Sequence, residues 1–82
     1  MSEEQAADVR ALVEQMAKAI VESPSDVSAE LLEDGSLVEL RVAPGDLGKV
    51  IGKQGRTARA MRSVVSAAGV RLNKRFQLEI VE

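Results

Sequence analysis

Two glycines three residues apart, Gly52 and Gly55, interrupt a stretch whose flanks both favour helix: Val50-Ile51-Gly52-Lys53-Gln54-Gly55-Arg56. Neither glycine has a Cβ, so the chain can turn sharply there and its backbone can come close to a ligand. The N–H groups of a helix beginning at Arg56 would face the same space, where an anion is favoured. Lys53 adds a mobile positive charge at the tip. These residue types, in this order, describe a clamp for a phosphate backbone. Gly-x-x-Gly spacing by itself is common, so the weight rests on what surrounds it.

The surroundings read as a small α+β domain. Ser2 with Gln5 forms a capping box, and Glu3 and Glu4 suit a first helical turn. Ala6, Val9, Val13, Met16 and Ile20 then recur at helical spacing with Leu12 on the same face, predicting an amphipathic helix over 3–22. Ser23-Pro24 ends it. Val27, Ala29 and Leu31 alternate with polar residues as in a half-buried strand, and Asp34-Gly35 signals a tight hairpin. Val38, Leu40 and Val42 continue the alternation in a second strand over 36–43. Pro44 stops that strand and opens a short helix over 44–51 carrying Leu47, Val50 and Ile51. A helix over 56–68 follows, with Ala58, Met61, Val64, Val65 and Ala68 apolar and Arg59, Arg62, Ser63 and Ser66 opposite. Gly69 is placed as its C-terminal cap. Phe76, Leu78 and Ile80 alternate in a last strand. The order is α-β-β-α-α-β, one three-stranded sheet with three helices packed on one face.

Charge is divided along the chain. Residues 1–42 hold ten acids and three bases, a net of −7. Residues 43–78 hold Lys49, Lys53, Arg56, Arg59, Arg62, Arg71, Lys74 and Arg75 against Asp46 alone, a net of +7. Such asymmetry signals nucleic acid in a chain whose overall charge of −2 conceals it. With no Cys and no His, thiolate sites and the commonest metal ligand and general base are missing, so neither enzyme activity nor a cofactor or metal is expected. Eighty-two residues bury only about 60–65% of their unfolded surface, leaving little room for a deep cleft. Residues 1–15 contain no apolar signal segment, and a cytosolic location is expected.

The wider run Ala-Pro-x-Asp-Leu-Gly-Lys-Val-Ile-Gly-Lys-Gln-Gly-Arg, followed by Met61-Arg62, resembles a KH domain, whose Gly-x-x-Gly loop clamps about four nucleotides of single-stranded nucleic acid. The resemblance covers nearly the whole chain, residues 1–82 as a single domain. The element order matches the prokaryotic, type II arrangement, and the length is similar to that of small stand-alone bacterial members. It implies a single-stranded RNA-binding protein of broad specificity, acting as an RNA chaperone or post-transcriptional regulator. The residues it assigns to RNA are Lys49, Ile51, Gly52, Lys53, Gln54, Gly55, Arg56, Arg59 and Arg62. Gly52 and Gly55 would shape the loop, Lys53 would reach a phosphate, Gln54 would hydrogen-bond at the tip, and Ile51 would floor a groove for bases. Arg71, Lys74 and Arg75 either widen the basic surface or pair with the acidic first helix. Many KH domains carry isoleucine where this chain has Ala58, implying a shallower, less selective groove.

Two other readings compete with this one. A P-loop would need four residues between glycines and a Ser or Thr after its lysine, whereas Gly48–Gln54 has three and ends in Gln. A dimerisation module is the second: Leu37 and Val81 fall out of phase with their strands, and the resemblance implies pairing with a second copy or with a larger KH protein. The KH fold would then serve assembly with little RNA affinity.

Overall fold

The computed structural model describes residues 3–82; the Ser2 capping box lies outside them. Helix α1 (Glu3–Ile20) buries Ala6, Val9, Val13 and Ala17. Ile20, read as part of that stripe, is instead 36% exposed. The buried row descends through Ala17, one helical turn below Val13, and leaves Ile20 turned aside. The helix stops two residues before the expected boundary. There the buried Asp46 carboxylate accepts the backbone N–H groups of Glu22 (3.1 Å) and Ser23 (3.0 Å). Those bonds satisfy donors just past the end of α1 and tie the beginning of the basic half to it.

Strand β1 (Ser28–Leu32) and strand β2 (Leu37–Arg41) form an antiparallel hairpin in which Leu32 faces Leu37. Its loop therefore spans residues 33–36, longer than the tight turn read from Asp34-Gly35. Glu33, Asp34 and Gly35 adopt φ of 51°, 60° and 83°, three left-handed residues in succession. Strand β3 (Gln77–Ile80) pairs parallel with β2, giving the order β1-β2-β3. The register aligns Ala29 with Leu40, Leu31 with Val38, Val38 with Leu78, and Leu40 with Ile80. These residues share the face that the helices cover. The outer face carries Glu30, Glu39 and Glu79 across one rung and Leu32 and Leu37 across another. Leu37 is thus on the open face, as its phase requires.

After a 3₁₀ turn at Pro44–Asp46, helix α2 (Leu47–Ile51) leads into the glycine loop, and helix α3 (Arg56–Leu72) leaves it. Helix α3 buries Ala58, Met61, Val65 and Gly69. Val64, assigned from periodicity to the buried side, is 42% exposed, because it lies a quarter turn beyond that row. Gly69 is not the cap. It sits inside α3, where a Cβ would collide with the Lys74 carbonyl oxygen and lie 3.4 Å from Phe76 Cδ2. The helix ends four residues later at Asn73, in the left-handed region at φ 56°. Asn73 N–H donates to the Val70 carbonyl (3.2 Å) and Lys74 N–H to the Gly69 carbonyl (2.9 Å), the paired bonds of a Schellman ending. Leu40, Val13, Val38, Val50 and Val65 form the fully buried centre.

Candidate nucleic-acid interface

Helix α2 is barely longer than one turn, so its direction depends on anchors at both ends. Asp46 fixes its beginning through α1, and Val50, fully buried, fixes its end. The chain then reverses at Gly52, at φ 77° and ψ 170°, a region essentially reserved for glycine. A Cβ there would lie 2.7 Å from Thr57 Cβ and 2.8 Å from Thr57 N, and closer still to Thr57 Oγ1. Gly52 is therefore required twice, by its dihedrals and by the close pass of α3. Gly55 is left-handed at φ 75°, but the only neighbour a Cβ would meet is the Arg59 guanidinium at 3.3 Å. Between them Gln54 also takes a positive φ of 57°, which turns Lys53 and Gln54 outward.

Backbone bonds hold the loop without help from these side chains. Gly52 N–H donates to Gly48 (2.8 Å) and Gly55 N–H to Gly52 (3.1 Å). Both tip side chains are exposed. Gly55 caps α3 with no side-chain bond to its first turn, so a ligand anion meets no capping side chain there. Arg56 Nη2 donates to Gln54 Oε1 at 3.3 Å, bringing the arginine back over the loop.

Beside the loop runs an open groove of about 230 Å³ between α3 and β3. Ile51, Ala58 and Ile80 give it apolar surface, Gly55 its upper rim, and Arg59 and Arg62 a basic wall, with Glu82 as the one acid. Arg62 Nε donates to the Leu78 carbonyl at 3.3 Å. Ala58 is 4% exposed and lies in the groove lining. Its short side chain is part of the groove floor.

The loop thus presents backbone and cations and opens on an aliphatic groove between a helix and a strand. The KhpA/KhpB KH-domain family model matches residues 10–80. The chain belongs to that family. An RNA-binding protein KhpA from Clostridium perfringens is 48% identical over 75 residues, covering 89% of this chain and all of the relative. One from Halalkalibacterium halodurans is 51% identical over 76 residues, 90% of this chain and all of the relative. A KhpA from Streptomyces coelicolor is 52% identical over 61 residues, 72% of this chain and 77% of the relative. No solved structure gives a significant match.

Within this KH-family chain, the sequence-assigned residues fall into three groups. Ile51, Gly55, Arg59 and Arg62 meet around the groove. Gly52, Lys53, Gln54 and Arg56 make the loop and its rim. Lys49 stands apart: it does not line the groove, and its Nζ lies 3.9 Å from the Glu22 carboxylate. Arg71 and Arg75 are exposed, and among the described residues neither they nor Lys74 makes an ion pair. Of the two alternatives for these three, ion pairing with α1 is absent among the described residues. Ile80 and Glu82 also line the groove, and nothing local in the sequence marks them for it. Ile80 alternates correctly for a core strand, and only the position of β3 beside α3 shows that its outer flank lines the groove.

Proposed function

We propose that this KhpA/KhpB-family protein is a non-enzymatic, single-stranded RNA-binding protein of broad specificity that acts in the cytoplasm as a chaperone or post-transcriptional regulator, with residues 1–82 working as one KH domain. The observation that carries the reading is the groove itself. An aliphatic surface from Ile51, Ala58 and Ile80 lies directly beside the Gly52–Gly55 loop, with Arg59 and Arg62 on one wall. Phosphates lie over the loop, near Lys53 and Arg56, and unpaired bases rest on the aliphatic surface. Few side chains in the groove can tell one base edge from another, which favours broad specificity. The sole aromatic, Phe76, is buried, so recognition does not rest on aromatic stacking.

Matched single- and double-stranded RNA titrated at several salt concentrations tests this reading. Two to four phosphate contacts give a slope of log K against log salt of about −1.5 to −3 for a single strand. The single strand should bind more tightly, since a duplex hides its base edges from a narrow groove. Replacing Lys53 and Gln54 together by Asp should abolish binding and leave the fold intact, because Asp accepts the left-handed position more readily than Gln. Duplex binding as tight as single-strand binding would reduce the basic segment to a generic polyanion surface.

A second reading, pairing with another copy or in a heterodimer with a KhpB-type KH protein, is favoured by the outer side of α3. Val64 is 42% exposed, and Ala60 and Ala67 are also exposed on that side of the helix. This surface is separate from the groove lining around the loop, so pairing and RNA binding are compatible.

A further inference from the structure

The groove beside the glycine loop is the first of three depressions that share walls. The second, of about 310 Å³, begins at Arg62 and Leu78 and reaches Ser66 and Phe76. The third, of about 480 Å³, begins at Ser66 and Phe76 and ends at Asn73, Lys74 and Arg75. Because Arg62 belongs to the first two and Ser66 and Phe76 to the last two, the depressions form one seam along α3. At 1.5 Å per residue that helix is about 25 Å long, so the seam runs well past the glycine loop.

The other wall of the seam is the free edge of β3, an outer strand of the sheet. Gln77 and Val81 donate their N–H groups to Ser36 (2.8 Å) and Leu40 (2.9 Å). The alternate residues, Phe76, Leu78 and Ile80, therefore direct their backbone groups away from β2, into the seam. Those groups bond equally well to base edges or to a peptide. Charge separates the two ligands: Arg59, Arg62, Lys74 and Arg75 line the seam against Glu82 alone, which favours a polyanion. A peptide adding as a strand would also have to displace Arg62 from the Leu78 carbonyl. At the far end Lys74 Nζ donates to the Asp34 carbonyl (3.3 Å) and lies 6.0 Å from the Phe76 ring centroid. Arg75 is left exposed, with no ion pair among the described residues, as the cation available to a ligand.

We propose that single-stranded RNA held at the Gly52–Gly55 loop continues along the α3–β3 seam, and that Arg75 contacts a phosphate beyond the four nucleotides clamped by the loop. This rests on the RNA-binding reading and adds a second contact that lengthens the footprint.

Fluorescence anisotropy with a four-nucleotide and an eight-nucleotide RNA of mixed sequence separates the two ideas. A four-nucleotide clamp alone gains about five-fold from an eight-mer, through the number of registers available. The seam predicts a gain well above that, of about twenty-fold or more, and a salt slope steeper by about 0.7 for each added phosphate. Arg75→Glu should cut the gain to the statistical value while leaving four-mer affinity unchanged. Ser66→Trp, at an exposed position between the second and third depressions, should do the same by obstructing the path. If the four-mer binds but the eight-mer gains no more than the statistical factor, the seam proposal falls and the loop reading stands. It also falls if Arg75→Glu weakens both lengths equally, since that is general electrostatics. If neither length binds, both readings fall together.

Discussion

Replacing Gly52 by Ala should cost far more than the same change at Gly55, although the two glycines share one motif. At Gly52 the added methyl group meets two penalties. The φ 77°, ψ 170° conformation costs a non-glycine residue about 1–3 kcal/mol. The Cβ would also stand 2.7 Å from Thr57 Cβ and 2.8 Å from Thr57 N; the latter is helix backbone and cannot swing away, adding about 1–3 kcal/mol of overpacking. The total, about 2–6 kcal/mol, is a large part of the roughly 4–12 kcal/mol expected for a domain of this length. At Gly55 only the left-handed conformation is penalised, by about 1–2 kcal/mol, because the Arg59 guanidinium at 3.3 Å is the mobile end of a side chain. Thermal unfolding of both variants, followed by circular dichroism, gives the difference directly. Gly52→Ala should lower the melting temperature by at least about 10 °C, at about 4–8 °C per kcal/mol, and Gly55→Asn should be nearly silent. Thr57→Gly in the Gly52→Ala background should recover part of the loss, through a coupling of about 0.5–2 kcal/mol. Equal costs at the two glycines, or no coupling to Thr57, would refute the account of the loop.

Asp46→Ala should destabilise the protein by about 2–4 kcal/mol, because it removes the buried carboxylate that accepts the part-buried N–H groups of Glu22 and Ser23, and thermal unfolding measures it. Val64→Lys should weaken self-association, or pairing with a KhpB-type protein, without altering single-strand affinity. Sedimentation at micromolar concentration checks this, and a wild type that stays monomeric with and without the partner would remove the pairing reading. The hydrogen bonds of Lys18 and then Arg10 hold the Glu14 carboxyl below its ordinary value of 4.5. Its contribution to folding should be complete above that value and lost as pH falls through the lowered pKa. Glu14→Gln should accordingly flatten the acid limb of the stability profile below pH 4.5, as followed by urea midpoints.

The sequence order α-β-β-α-α-β, the loop at Gly52–Gly55 and the buried Ala6, Val9, Val13, Ala58, Met61 and Val65 of the long helices were legible because period and glycine placement are local signals. The departures have physical causes that are not local. Gly69 reads as a helix stop, since glycine usually ends helices. It sits mid-helix because Lys74, five residues ahead, folds back over it. Asn73, which does end the helix, carries a weaker signal than glycine in the left-handed region. Val64 is an apolar residue in an apolar register, and only the side on which the sheet lies decides that Val65 is buried and Val64 is not. Asp46 looked like the one acid in a basic segment. Its burial, and its bonds to backbone 23 and 24 residues away, are set by tertiary structure. The groove was legible on its α2–α3 side, whereas its β3 wall required strand order.

That strand order has a consequence for when the protein becomes competent. Strand β3 pairs with β2 in parallel, with Gln77 beside Leu37, so the pairing closes a segment that contains α2, the glycine loop and α3. Closure of this kind is entropically costly and slow compared with forming helices or hairpins. The α1–β1–β2 portion can assemble from neighbouring contacts, while the recognition loop is already shaped by local bonds. The opposite wall is missing until β3 docks. If the loop and groove hold RNA as proposed, a chain caught before that step would hold a phosphate but have nowhere to lay a base, so the appearance of base-dependent RNA affinity during refolding should report the arrival of the last strand.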